Sequence, residues 1–288
     1  MSINIDFFGV IEHEITLGSV LGIIEGTPIP DRTRRIGKEF ASINHLYLDA
    51  GYWFGTIVKI RMHEIPKRAN LAGVVDDFVL AADEGVGEES SFIYDPRTRV
   101  IAMQYNHYGM KSGSFRDYIS RFVADINDQF ELSPVLTIDA LVRMAHQNII
   151  KRLEVKFAVP TNNNAFINPD DSTQSMINIL RATNGGKIAF ELQSDSLERN
   201  SSLSTRPVQR IIQTLLSNRD QVSVLKIYGK EDEGGRVLPI DLLHDRMVEI
   251  SLFNANRQNP LTKELMYNFL HTAYNNRRQE ILAQFLRE

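Results

Sequence analysis

The sequence contains no cysteine, and this absence excludes several kinds of site at once. Without thiols there is no disulfide, no thiolate metal ligand and no cysteine nucleophile, so zinc and iron–sulfur chemistry is not expected. The seven histidines are the remaining soft nitrogen ligands, and they lack the i, i+4 spacing of a helical metal site. We therefore expect no metal centre.

Motifs of common enzymes are also missing. The sequence has no GxGxxG, no GxxxxGK[ST], no HExxH and no GxSxG. Gly85 and Gly87 lack a third glycine and precede Glu88 and Glu89, which would repel a phosphate, so they are interpreted as a tight turn. The sequence predicts a protein that is not an enzyme and takes no cofactor.

Long apolar runs are absent as well. None reaches the roughly 20 residues that span a bilayer, and the apolar start is interrupted by Asn4 and Asp6 without a basic leader segment. We expect a cytoplasmic chain. Its 288 residues, 43% hydrophobic and 24% charged, suit one large globular domain or two small ones.

The residue pattern predicts an α+β fold with two domains, 1–160 and 161–288. The first domain should contain an antiparallel sheet region with a packed helix, and the second a mixed α/β region that ends in a long helix. The predicted strands of the first domain are residues 3–11, 40–49, 53–63, 91–94, 100–105, 135–138 and 153–159. Its packed helix is predicted at 114–129 with Ser114 as the N-cap. The terminal helix at 260–286 either docks across a domain or pairs with its copy in a dimer.

Charge is segregated along the chain. The formal net charge of -4 argues against a uniformly basic nucleic-acid binder, since an acidic total repels phosphates unless positive charge is concentrated on one face. Residues 97–156 nevertheless hold nine Lys and Arg against six Asp and Glu. Each basic cluster is either a solvated surface or part of a phosphate-binding groove, and composition does not decide between them.

One stretch combines an acidic turn, a short strand, a turn, an apolar strand and a glycine before an amphipathic helix. Its letters are ADEGVGEESSFIYD at 82–95 and RVIAMQYNHYGM at 99–110. With the chain length and the final helix, this pattern resembles the phage-exclusion family of RexA and its defence-associated relatives. A more distant similarity is to KwaB of the Kiwa defence system.

The resemblance implies a sequence-nonspecific sensor that binds double-stranded DNA in an anti-phage, abortive-infection system. It also implies a homodimer that acts with an integral-membrane partner. The basic side chains that would neutralise phosphates are Lys59, Arg61, Lys67, Arg68, Arg97, Arg99, Lys111, Arg116 and Arg121. About six phosphate contacts would give a salt slope near -5.

Neighbouring residues leave further roles open. Asn106 and Ser112 could add hydrogen bonds, and Tyr105, His107 and Tyr108 either stack on bases or pack at the rim of the fold. The acidic turn at 83–89 could hold a basic residue of a neighbour or close the DNA groove when idle.

Two other functions stay in play. Asp170 and Glu191 resemble the paired carboxylates of Mg²⁺-dependent nucleases, although Gln193 stands where a basic residue is usual and Asp170 also fits a helix N-cap. The remaining alternative is a protein-interaction scaffold without DNA binding.

Overall fold

The computed structural model describes residues 2–12, 14–63, 65–123, 130–158, 169–195, 198, 201–218, 221–254 and 260–286. Helices and antiparallel sheets occur together, which confirms the α+β class. The described part of the chain has no helix with the length and hydropathy needed to cross a bilayer.

The elements follow one another in chain order. Up to residue 120 they are β1 (Ser2–Ile11), α1 (Leu17–Gly26), a 3-10 helix (Ile29–Arg32), β2 (Arg34–Ile36), β3 (Glu39–Asp49), β4 (Tyr52–Arg61), β5 (Arg68–Ala69), β6 (Val75–Asp76), β7 (Val86–Asp95), β8 (Val100–Tyr105) and α2 (Ser112–Ser120). They continue with β9 (Glu131–Pro134), α3 (Ile138–Ala145), β10 (Ile149–Ala158), α4 (Asp171–Ala182), β11 (Lys187–Gln193), α5 (Thr205–Ser217), β12 (Val222–Lys230) and β13 (Leu238–Asp241). The last two are β14 (Val248–Leu252) and α6 (Lys263–Phe285).

Two compact units are formed from these elements. Unit 1 contains Met1–Glu131 and Glu249–Glu288, whereas unit 2 contains Leu132–Val248. The predicted division at residue 160 differs from this arrangement for two reasons. Strand β10 lies inside the second sheet, and α6 returns to pack on the first sheet.

The main sheet of unit 1 has the strand order β14-β1-β8-β7-β4-β3-β2. Strands β3 and β4 are joined through Ala50 and Gly51, whose φ angles of 47° and 85° give the left-handed turn that a two-residue hairpin prefers. Strands β7 and β8 flank residues 96–99, which overlap the turn that the sequence predicts at 95–98, where Pro96 takes the first central position. The hydrophobic pattern and the turn residues thus locate β1, β3, β4, β7 and β8, whereas β2 and β14 were not among the strands predicted for the first domain.

Helix α2 packs on one face of this sheet. The Phe115 and Phe92 rings lie 5.0 Å apart, and the backbone N–H of Ile43 donates to the Tyr118 hydroxyl at 3.0 Å. Burial raises the pKa of Tyr118 to about 12. The helix differs from its prediction because it begins at Ser112, after Lys111 as N-cap, and ends at Ser120. Residues 124–129 of the predicted helix lie outside the described residues.

Helix α6 docks on the opposite face through two buried tyrosines. The Tyr267 hydroxyl lies 2.7 Å from Thr56 Oγ1 and 2.8 Å from His45 Nδ1. Further along the helix, the Tyr274 hydroxyl lies 2.7 Å from Thr98 Oγ1 and donates to Asp95 Oδ2 at 2.9 Å. Of the two predicted roles for this helix, docking within its own unit is the one observed.

Unit 2 has a four-stranded sheet of order β11-β10-β12-β13 with antiparallel neighbours. Helices α4 and α5 cover one face, where Leu153, Val155 and Leu225 of the sheet join Ile177 and Leu215 of the helices in a buried core. Because side chains alternate along a strand, the intervening residues lie on the face away from these helices. We call that surface the open face of unit 2.

Candidate nucleic-acid interface

Three of the predicted DNA-binding residues meet at one edge of the unit 1 sheet. Strands β4 and β8 are both antiparallel to β7, so they run in the same direction and end at the same edge. Strand β4 ends at Arg61, β8 ends at Tyr105, and Lys111 caps α2 nearby. We call Lys59, Arg61, Tyr105, Tyr108 and Lys111 the basic edge.

Cations and aromatic rings are paired within the basic edge. The Lys111 Nζ lies 4.1 Å from the centre of the Tyr105 ring, and the Arg61 guanidinium lies 5.7 Å from the centre of the Tyr108 ring. Tyr108 is 58% exposed. Contacts of this kind hold a charge and a flat apolar surface side by side, as in proteins that bind single-stranded nucleic acids.

Acidic residues contact the basic edge from inside the same unit. Glu88 Oε1 accepts from Arg61 Nη2 at 3.4 Å, and Glu89 Oε1 lies 3.0 Å from Lys263 Nζ of α6. The backbone carbonyl of Glu89 accepts from Asn106 Nδ2 at 2.9 Å. The sequence had suggested that both glutamates lie in a turn, but they belong to strand β7. Both pair with cations of their own chain.

Two other predicted residues lie in the small β5–β6 hairpin. Lys67 Nζ is 3.3 Å from Asp77, and Arg68 Nη2 is 3.2 Å from Asp76. All four side chains are more than half exposed. Their ion pairs are surface pairs of small energetic value.

Arg97 and Arg99 lie at the opposite edge of the sheet. They belong to the β7–β8 turn, which lies next to the first residues of β4. Arg61 is at the other end of β4, and the ten residues of this strand correspond to about 30 Å. Arg97 pairs with Asp95 at 3.0 Å and Arg99 with Glu12 at 3.1 Å, and both carboxylates are only 2% exposed. The hydrogen bond to Asp95 raises the pKa of Arg97 further above its ordinary value. The two arginines therefore satisfy buried carboxylates.

Of the last two predicted residues, Arg116 lies within helix α2 and Arg121 is its C-cap. Arg116 is 12% exposed and pairs with the neighbouring Asp117 at 2.8 Å, whereas Arg121 is exposed at the helix end. Ten residues of helix separate Arg121 from Lys111 by about 15 Å. The nine predicted residues thus occupy four separate places, and only Lys59, Arg61 and Lys111 converge.

The paired carboxylates of the nuclease alternative do not converge. Asp170 is the N-cap of α4, where Oδ1 accepts from the backbone N–H of Ser172 and Thr173 at 3.0 and 3.3 Å. Glu191 pairs in register with Glu154 on the open face, on the other side of the sheet from α4. No set of three His, Asp or Glu side chains suited to a metal occurs in the described ranges.

Sequence reasoning missed a second group of cations, in unit 2. Lys151 and Arg152 are consecutive in β10 and line a cleft of about 700 Å³ with Tyr228 of β12. The available signal was a break in alternation. Ile150 is followed by two polar residues before Leu153, although Val155 and Phe157 then recur at every second position.

Comparison with known proteins gives a family. No curated protein matches the chain. The family model DUF6731, described as a family of unknown function, matches residues 11–281, which is nearly the whole sequence. The chain belongs to this family, DUF6731.

Proposed function

We propose that the protein binds DNA without sequence preference through the basic edge of unit 1. The observation that carries this proposal is the side-by-side pairing of Arg61 with Tyr108 and of Lys111 with Tyr105. The cations suit phosphates, and the exposed Tyr108 ring suits an unstacked base or the sugar. Contacts to phosphates and stacking on a ring carry no base-edge information, so little sequence discrimination is expected.

The convergence of three cations sets the expected strength. Neutralising about three phosphates gives a slope of log affinity against log salt near -3 for duplex DNA, smaller than the sequence alone suggested. Such a contact is weak at physiological salt. A homodimer that presents two basic edges to one duplex would gain affinity because its second contact is intramolecular.

Glu88 competes with DNA for Arg61 in this proposal. A surface ion pair contributes about 0.2–1 kcal/mol, so Glu88→Gln should strengthen DNA binding by about 1.4- to fivefold. Unchanged affinity in this variant would show that Glu88 does not compete with DNA. It would not bear on DNA binding by the basic edge.

The biological setting is proposed from the resemblance to the RexA family. In that setting the protein is a cytoplasmic homodimer that detects phage DNA in abortive infection, together with an integral-membrane partner. The acidic net charge of -4 suits such a sensor because it limits DNA contact to the basic edge.

Fluorescence anisotropy with a labelled random-sequence duplex tests the proposal. The double variant Arg61→Gln/Lys111→Gln removes one arginine and one lysine from the basic edge. Its matched control, Lys67→Gln/Arg68→Gln, removes the same two residue types from the exposed β5–β6 hairpin. We expect the first variant to lose about tenfold or more in affinity at low salt while the control stays within about twofold.

Equal losses in both variants would show that affinity follows net charge and not the basic edge. Circular dichroism of each variant verifies that the fold is retained. Absence of binding by the wild type would favour the scaffold alternative, and cleavage of the DNA in Mg²⁺ would favour the nuclease.

A further inference from the structure

The cleft of unit 2 is built on one row of residues across all four strands. In the antiparallel register Gln193 pairs with Arg152, Arg152 with Tyr228, and Tyr228 with Pro239. All four residues line the cleft. Its floor is therefore a row of an amide, a guanidinium, a phenol ring and a proline ring on the open face.

A β-bulge concentrates positive charge in this cleft. The register between β10 and β12 shifts between Ile150 and Arg152, so Lys151 is the extra residue. Ile150 and Leu153 both point into the core, which leaves Lys151 and Arg152 on the same side of the sheet although they are consecutive. Bulges that re-aim side chains in this way are concentrated near functional sites.

The Arg152 guanidinium packs against the Tyr228 ring on the floor of the cleft. It lies 3.7 Å from the centre of the Tyr228 ring, whose hydroxyl donates to Glu154 Oε2 at 2.9 Å. Glu191 is a looser partner at 3.6 Å, and the Arg152 side chain stays 35% exposed. When one face of a guanidinium packs on an aromatic ring, its other face can stack on a further planar group.

Charges on the walls constrain the ligand further. Lys151 Nζ donates to the backbone carbonyl and the hydroxyl of Ser201, both uncharged, so these contacts do not cancel its charge. Asp195, Glu198 and Glu233 also line the cleft, where they offset Lys151, Arg152 and Lys230 and would oppose a highly charged anion. They would instead accept hydrogen bonds from hydroxyl or amino groups.

We propose that this cleft binds a nucleoside monophosphate, either free or as the terminal residue of a strand. The base stacks on the Arg152 plane above Tyr228, Lys151 and Arg152 hold the phosphate, and the wall carboxylates accept from ribose hydroxyls or the base amino group. A volume of about 700 Å³ lies within the usual range for small-ligand sites. The site is in unit 2 and does not depend on the basic edge of unit 1.

Isothermal titration of the full chain with AMP, GMP, CMP and UMP tests this proposal, with inorganic phosphate and a short 5′-phosphorylated single strand as further arms. At least one mononucleotide or the strand should bind with Kd below about 1 mM. Arg152→Lys keeps the charge but loses the plane, and Arg152→Gln loses the charge. Both should weaken binding by about tenfold.

Lys187→Gln is the matched control, since Lys187 is an exposed cation six residues from Gln193 on the same strand, about 20 Å away. It should bind the mononucleotides like the wild type, and so should Arg61→Gln/Lys111→Gln, which separates this site from the proposed DNA interface. The strand is therefore measured in that double variant, where a preference for it over the mononucleotides would identify a strand end as the source. Binding of phosphate alone with equal affinity, no binding in any arm, or unchanged binding by Arg152→Gln would overturn the proposal.

Discussion

Removing the Tyr274 hydroxyl should destabilise unit 1 by about 2 kcal/mol. Tyr274 is fully buried, and its hydroxyl serves both the Asp95 carboxylate at 2.9 Å and the Thr98 hydroxyl at 2.7 Å. A hydrogen bond to a buried charge contributes about 1.5–3 kcal/mol. Asp95 also accepts three hydrogen bonds from Arg97, two at Oδ1 and one at Oδ2. Tyr274→Phe therefore leaves the carboxylate partly satisfied, and the cost should lie in the lower part of that range.

Tyr267→Phe is the comparison that shows how much the charge of the Asp95 carboxylate adds to the cost of losing a tyrosine hydroxyl. Its hydroxyl meets Thr56 and His45 and no carboxylate, so its loss should cost about 1 kcal/mol. Urea denaturation should be followed by tryptophan fluorescence, because Trp53 is the only tryptophan and lies in β4 of unit 1. Equal costs for the two variants, or a cost near zero for Tyr274→Phe, would refute the idea that the carboxylate anchors α6.

Three further outcomes are expected. Gly55→Ala should destabilise unit 1 by about 1–3 kcal/mol in the same assay, since a Cβ at Gly55 would lie 2.3 Å from the Phe92 ring; a neutral effect would contradict this packing. Asp170→Ala should cost about 1 kcal/mol in a urea titration followed by circular dichroism, with Asp170→Asn nearly neutral, and a Mg²⁺-dependent difference would argue for a metal role instead of a cap. The pKa of Tyr118 is about 12 in the folded protein and about 10 in the unfolded chain, so its contribution to stability is complete below about pH 10 and is lost as the pH rises through 12. Tyr118→Phe should reduce this loss of stability at alkaline pH. An unchanged dependence of unfolding free energy on pH would contradict the prediction.

Local features of the fold were predictable because they depend on neighbours in sequence. The turn after Asp95, with Pro96 in its first central position, set the hairpin, and the Ala50-Gly51 pair set another. The sequence predicted that the helix at 112–120 begins at residue 114, because Ser114 is a typical N-cap residue. Lys111 takes that place without a side-chain cap bond, so the usual signal was missing.

Long-range features were less predictable. The return of α6 to unit 1 is fixed by Tyr267 and Tyr274, whose partners lie more than 170 residues earlier. Strand order likewise decides which cations meet. Arg61 and Lys111 are 50 positions apart yet share an edge, whereas Arg97 lies at the far edge although it is closer to Lys111 in sequence. Only the broken alternation at Lys151 marked the cleft of unit 2 in the sequence itself.

The salt dependence of DNA affinity tests the central proposal most directly. Anisotropy titrations of the wild type against a random duplex, over a range of salt, should give a linear plot of log affinity against log salt with a slope near -3 and intact DNA in a parallel gel. In Arg61→Gln/Lys111→Gln the slope should shrink to about -1. A flat plot, no binding at low salt, or the same slope in both proteins would contradict DNA binding through the basic edge.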